Sequence, residues 1–362
     1  MKGYKRFSRS FMWLEMACVI VLLLSGCAIA VIHQDAPRMD QITGAGSTFD
    51  YPFFSRAFYA YADGPEHLQV NYQSIGSGGG IEQFIRQTVN FGATDVPMND
   101  SELQQARSAG PVEQVPVALG AEAITYNLPH IRQRLHFTGR VLADIYLGKV
   151  LRWNSPEIAK INPGIRLPSS QIVVVHRSDG SGTTYIFTDF LSQSNQIWAK
   201  VVGTGKSVDW PVGIGGKGNT FVTQEVQNTP GAIGYVELAY ALTAKMNVGM
   251  VQNRYGSFVE PNLHSVTAAA RQFAHVTSRH FSIVNAPGKD SYPICGYSWV
   301  LLYEHQTNRG VGEAMTRLFS WLVTSGQSYA QSVDYVPLPQ SVKRLAQSLI
   351  KRIAYHGQPL LQ

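Results

Sequence analysis

Three times along this chain a strand pattern runs into a short Gly/Ser/Thr loop that opens a helix, and this repetition restricts the fold more than any other feature. The first loop is Thr43-Gly-Ala-Gly-Ser-Thr-Phe49, ahead of Phe53, Phe54, Ala57, Phe58 and Tyr61 at helical spacing. The second is Ser74-Ile-Gly-Ser-Gly-Gly-Gly80. It follows Leu68, Val70 and Tyr72, which alternate with Gln69, Asn71 and Gln73, and it leads to Ile81, Phe84, Ile85 and Val89. The third lies within Val173-Val-Val-His-Arg-Ser-Asp-Gly-Ser-Gly-Thr-Thr-Tyr185, with Arg177 just ahead of the turn. Units of this kind build open α/β sheets, whose ligand crevice lies at the carboxyl ends of the strands. Each loop offers free backbone N–H groups at the positive end of a helix dipole, an arrangement that suits an oxyanion. Ser181 and Thr183 add hydroxyls, and Arg177 adds a planar two-pronged donor. Taken singly, any of these loops also reads as an ordinary helix cap; together they predict one shared anion crevice.

The segment Asn90-Phe-Gly-Ala-Thr-Asp-Val-Pro-Met98 brings a carboxylate to the same set. Phosphate at neutral pH still carries a proton, so a carboxylate can accept a hydrogen bond from it, whereas sulfate has no such proton. In that setting Asp95 would accept from phosphate and repel sulfate. Away from its neighbours, Asp95 reads first as a surface or helix-capping residue before a proline.

Taken together, Gly44-Ala-Gly-Ser-Thr-Phe49, Gly76-Ser-Gly-Gly79, Phe91-Gly-Ala-Thr-Asp95, Arg177-Ser-Asp-Gly-Ser-Gly-Thr183 and Gly215-Gly-Lys-Gly-Asn219 resemble the phosphate-binding component of the phosphate ABC transporter, in order and in spacing. Tyr146-Leu-Gly-Lys149 with Trp153, Trp210-Pro211 and Pro230-Gly-Ala-Ile-Gly-Tyr-Val-Glu237 are similar to that family too. The resemblance implies an α/β protein of two lobes (periplasmic-binding-protein-like, type II), with a ligand cleft between lobes joined by a two-strand hinge. It implies inorganic phosphate as ligand, with no cofactor, no metal and no catalytic residue. Position by position, the implied contacts are Thr48, Phe49, Ser77, Asp95, Arg177, Ser181, Gly182 and Thr183, with Asp179 orienting Arg177. The departures lie beside the contacts: Thr94 and Ser178 flank them, and His176 stands where a second arginine is common in the family.

Other chemistries fail on the residues. Val202-Gly-Thr-Gly-Lys-Ser207 resembles the end of a nucleotide-binding loop, but Lys200 occupies the position of its first glycine. Neither Ser77 nor Ser181 sits in a Gly-x-Ser-x-Gly elbow, because Ile75 and Asp179 stand two places before them. Gly44-Ala-Gly46 has Phe49 where a dinucleotide fingerprint needs its third glycine. The ten histidines show no metal-ligand spacing. Lys217 reads as a structural or rim residue of its glycine-rich loop.

The N-terminus predicts export. Basic residues through Arg9 precede Met16-Ala-Cys-Val-Ile-Val-Leu-Leu-Leu24 and then Leu24-Ser-Gly-Cys27, a signal-peptide pattern whose end resembles the bacterial lipoprotein box. Glu15 interrupts the apolar run, leaving it short for a membrane-spanning helix. Cleavage before Cys27 and acylation of its sulfur would leave Cys295 as the remaining thiol, with no disulfide available. Four basic residues against Glu15 in this leader supply half of the net charge of +6. What remains forms no dense basic tract and gives no sign of nucleic-acid binding.

The expected organisation is a signal peptide over 1–26, a lipid-anchored tether over 27–41, lobe I over 42–118 plus 291–362, and lobe II over 119–290. The expected role is extracytoplasmic capture of inorganic phosphate by a monomeric, lipid-anchored protein that faces the periplasm or cell exterior and delivers to an ABC-type permease. Two rivals stay open at this point: a phosphatase-like enzyme of the same fold, and a sensing or adhesion surface lipoprotein.

Overall fold

The computed structural model describes residues 41–64, 67–273 and 275–361. The expected signal peptide, the Cys27 lipidation site and nearly all of the tether lie outside these residues. Gln41, expected to end the tether, already pairs with Gln69 as the first residue of a strand.

The protein is built on a nine-stranded mixed sheet. In chain order its main strands are β1 (Gln41–Gly46), β2 (Gln69–Ser74), β3 (Phe91–Thr94), β4 (Val112–Tyr126), β5 (Val173–Arg177), β6 (Ile214–Gly216), β7 (Ala232–Glu237) and β8 (Cys295–Tyr303). Their order across the sheet is β2-β1-β3-β8-β4-β7-β5-β6, with Asn247–Val248 pairing beside β4 as the ninth strand. β1, β2 and β3 are parallel and form one flank; β5, β6 and β7 are parallel and form the other. The long antiparallel pair β4 and β8 lies between them.

β4 belongs to both halves. Val112–Ala121 pairs with β8, and Glu122–Tyr126 pairs with β7. The sequence pattern predicts a strand entering the second lobe from Ala118, but the strand begins six residues earlier, at Val112. Pro116, which would interrupt a regular ladder, is accommodated because it lies beside a bulge: Trp299 faces Pro116 and Ser298 faces Ala118, so Val117 of β4 is the extra residue.

Each glycine-rich loop joins a strand end to a helix, as the spacing predicts. β1 leads to α1 (Tyr51–Ala62), β2 to α2 (Ser77–Ile85) and β5 to α4 (Gly182–Ser194); α3 (Asp100–Arg107) follows β3. α5 (Gly218–Asn228) follows β6, and α6 (Leu238–Thr243) follows β7. The helix expected to run through Val89 stops at Ile85, because Gln87 takes a positive φ of 56° and turns the chain toward β3. α1 buries Phe53, Phe54, Ala57, Phe58 and Tyr61, the stripe that marked it in sequence. Phe54 stacks on Phe58, and its edge meets Tyr72 of β2. This aromatic packing fixes α1, and so the loop at its start, against the sheet.

The two parallel flanks converge at one place. Gly46, Ser74 and Thr94 end the first three strands, and Arg177, Gly216 and Glu237 end the other set. Close contacts then cross between the flanks: the Gly78 N–H donates to the Gly180 carbonyl at 2.7 Å. A side chain at Gly76, whose φ is +91°, would strike Asp179 Oδ2 at 2.2 Å. The cleft is therefore closed in this structure.

Candidate functional site

The first loop is held by its carbonyls. Those of Ser47, Thr48 and Phe49 each accept from a tyrosine hydroxyl: Tyr72 at 2.8 Å, Tyr240 at 2.7 Å, and Tyr335. Turning three successive carbonyls outward leaves the intervening N–H groups facing the cleft. The Ser47 N–H donates to Ala93 and the Asp50 N–H to Ser47 Oγ, but among the described residues the N–H groups of Thr48 and Phe49 have no acceptor. Both residues are buried. Orphan backbone donors are rare in a protein interior, so a pair of them points to a missing acceptor.

The loop after β5 presents a second set. Ser181 caps α4, its Oγ accepting the Thr184 N–H at 3.1 Å, and the Thr183 N–H is left without an acceptor among the described residues. Arg177 is 2% exposed. Its Nε and one terminal nitrogen donate to the two Asp179 oxygens at 2.7 and 2.5 Å, while the other terminal nitrogen reaches Thr183 Oγ1 at 3.4 Å. Asp179 also accepts the Gly218 N–H at 3.1 Å. Burial alone would push the Asp179 carboxyl up, but the Arg177 hydrogen bonds and charge prevail and hold it below the ordinary carboxylate value. The fork is thus pinned on one side and open on the other.

Asp95, 3% exposed, directly follows β3 and accepts from Ser47 Oγ, from Ser298 Oγ at 3.0 Å and from Ser77 Oγ at 3.4 Å. Burial raises its carboxyl to about 6, against the opposing pull of the Ser47 and Ser298 hydroxyls, the Arg177 charge and Ser77. Ser298 also lies 2.5 Å from Asp50, whose carboxyl is pushed well up by burial and by the Asp95 charge. Ser298 Oγ thus has one hydroxyl proton within reach of three acceptors, the Asp50 and Asp95 carboxyls and the Thr94 carbonyl at 3.2 Å.

Ser77 joins the halves, since its Oγ accepts the Gly182 N–H at 3.1 Å and the Asp95 N–H at 3.3 Å. The N–H of Gly182, one of the expected contacts, is thereby directed at Ser77 in this structure. Thr48 Oγ1 accepts from Asn219 Nδ2 at 2.9 Å and from its N–H at 3.3 Å, so the Thr48 hydroxyl proton points elsewhere. Behind Arg177, Glu122 and Glu237 face each other across β4 and β7. Burial raises both carboxyls well above the ordinary value, and both Glu122 oxygens lack a partner among the described residues. Among these residues no group of three or more His, Cys, Asp or Glu side chains is placed to hold a metal ion, and no helix is long and apolar enough to cross a membrane.

Residues 32–326 match the PBP superfamily domain. Over 331 residues the chain is 42% identical to "Phosphate-binding protein PstS" of Pasteurella multocida (strain Pm70), covering 91% of this chain and 93% of that protein. The chain belongs to the PstS family of phosphate-binding proteins. The PstS relative from Haemophilus influenzae (strain ATCC 51907 / DSM 11121 / KW20 / Rd) is 40% identical over 84% of this chain and 91% of its own length. Membership in the PstS family places the chain among solute-binding proteins rather than enzymes. The solved structure of a high affinity periplasmic phosphate-binding protein (PfluDING) bound with phosphate aligns with a TM-score of 0.71 at 20% identity, covering 85% of this chain and 93% of that one. The phosphate binding protein from Stenotrophomonas maltophilia aligns at 0.68 with 17% identity, covering 85% of this chain and 93% of that one. These two share the two-lobed α/β fold.

Several residues that shape this PstS-family pocket escaped the motif reading. Ser298 reaches Asp95 across 203 positions from the middle of an apolar strand, where nothing marks a serine as functional. Ser47 sits inside the first glycine-rich loop and Asp50 directly follows it, yet only the fold shows that Ser47 donates to Asp95 and that Asp50 shares Ser298 with it. Tyr240 and Tyr335 act through backbone carbonyls, which no side-chain pattern reveals.

Proposed function

We propose that this chain captures inorganic phosphate in the closed cleft and delivers it to an ABC-type permease in the membrane. The carrying observation is a set of buried donors without acceptors among the described residues, the N–H groups of Thr48, Phe49 and Thr183, in loops whose neighbouring residues Ser47 and Gly182 lie against the buried Asp95 carboxyl. The Thr48 and Ser181 hydroxyls complete the shell, while Ser77, engaged with Asp95 and with the Gly182 N–H, and Gly182 itself line it from the two walls. A desolvated phosphate dianion is stabilised there by many directed donors, and its remaining proton is accepted by Asp95. Arg177 is neutralised by Asp179, so selectivity rests on donor geometry more than on net charge. The names of the PstS relatives support the same ligand.

On this reading the lobes are 42–118 plus 291–362 and 119–290, which approach by bending about β4 and β8. Export and attachment through lipid on Cys27 complete the proposal, with the protein acting as a monomer outside the cytoplasm. The deciding experiment is calorimetric titration of the anion-stripped chain with phosphate and, separately, with sulfate. One-to-one phosphate binding with silent sulfate is the expected result; no heat with either anion overturns the reading.

A further inference from the structure

Away from the anion pocket an ion pair ties the two halves together. Glu102 lies in the first turn of α3, just after the Asp95 loop, and Lys206 lies in the loop that precedes β6. Lys206 Nζ donates to Glu102 Oε1 at 2.6 Å and to Oε2 at 2.5 Å. The two side chains are only 14% and 22% exposed. Each partner is also fixed to one wall of the cleft. Glu102 Oε2 accepts the Asn99 N–H at 2.9 Å while Asn99 accepts the Glu102 N–H, a reciprocal cap on α3. The Lys206 carbonyl accepts the N–H of Ser181, the residue that caps α4, at 2.8 Å. The pair therefore spans the Asp95 loop and the Ser181 loop while touching neither site carboxylate.

We propose that Glu102 and Lys206 form a closure latch, a positioning pair that governs how long the cleft stays shut and therefore how slowly phosphate leaves. A half-buried, two-oxygen ion pair stabilises the closed form, and opening lets water rehydrate both ends. The closing encounter precedes its formation, so its effect falls on dissociation and not on association. The assay through phosphate rests on the proposed ligand; closure itself does not.

The test uses the full chain and two substitutions, Glu102→Gln, which keeps a side chain able to cap α3, and Lys206→Met. Stopped-flow dissociation of phosphate is expected to accelerate roughly three- to tenfold in either variant, with association unchanged. The double variant should match the single ones, and added salt should speed release in the parent but not in the variants. Equal dissociation rates in parent and variants overturn the latch, as does an effect confined to association. Small-angle X-ray scattering of the anion-stripped proteins adds a readout free of ligand: a larger radius of gyration in Glu102→Gln supports the latch, and identical values overturn it. A parent that binds no phosphate defeats the proposed ligand, and scattering alone then decides the latch.

Discussion

The Gly182 α-carbon lies so close to Asp95 that a β-carbon there would fall 2.4 Å from Asp95 Cβ and 2.6 Å from Oδ2. These two residues belong to opposite walls of the cleft, so their contact exists only when the cleft is shut. Gly182→Ala should therefore leave the open protein folded while blocking closure. A fall in phosphate affinity of about tenfold or more, in a variant that still unfolds cooperatively without the anion, is the expected outcome. Calorimetry beside thermal unfolding checks both halves of the statement.

Asp95 is expected to reject sulfate only while it is charged. Its carboxyl titrates at about 6, so rejection is complete well above that pH and weakens as the pH falls through it. Sulfate should begin to compete with phosphate below about pH 6 in the parent protein. In Asp95→Asn it should compete at every pH, because the charge is gone. Sulfate competition measured at pH 5 and pH 8 tests this, and a parent insensitive to pH would refute the assigned role.

Arg177→Ala should weaken phosphate binding by about 1.5–3 kcal/mol or more, the range of a charge-assisted hydrogen bond. Arg177→Lys should recover little of that loss. One ammonium cannot hold Asp179 with two parallel bonds and still present a donor to the cleft. Dissociation constants for the two variants, compared at one salt concentration, provide the check.

Glu122 supplies a stability test remote from the ligand contacts. Its folded-state carboxyl is raised well above the unfolded value, mainly by burial and then by the Asp95 charge, so the folded protein binds a proton more readily than the unfolded chain. That contribution is fully present at acidic pH and is lost as pH rises above the ordinary carboxylate range. Glu122→Met should thus stabilise the protein at pH 8 by about 1–3 kcal/mol and by less near pH 4. Denaturant unfolding at the two pH values measures the difference.

How much of this was legible in the sequence depends on how locally each contact is encoded. The strand–loop–helix units could be read because small-residue loops and apolar spacing are short-range signals, and the Phe53–Tyr61 stripe is buried where its period places it. The join between Arg177 and Asp179 spans two residues. By contrast, Ser298 meets Asp95 through a strand pairing that brings distant segments together. The true start of β4 was hidden by Pro116, whose tolerance depends on a bulge at the next residue, Val117, that exists only in the pairing with β8. That the N–H of Gly182, an expected ligand contact, meets Ser77 Oγ from the other wall in the shut cleft is likewise visible only in the fold.

The strand that serves both halves also limits how the molecule can be taken apart. A fragment ending at Gly120 would deprive β7 of its neighbour, and a fragment starting at Glu122 would strip β8 of one flank. Each piece would expose an unsatisfied sheet edge, a template for aggregation. Splitting this protein into two separately made reporters would therefore fail at the pivot, and probes of opening belong on the outer faces of the intact chain.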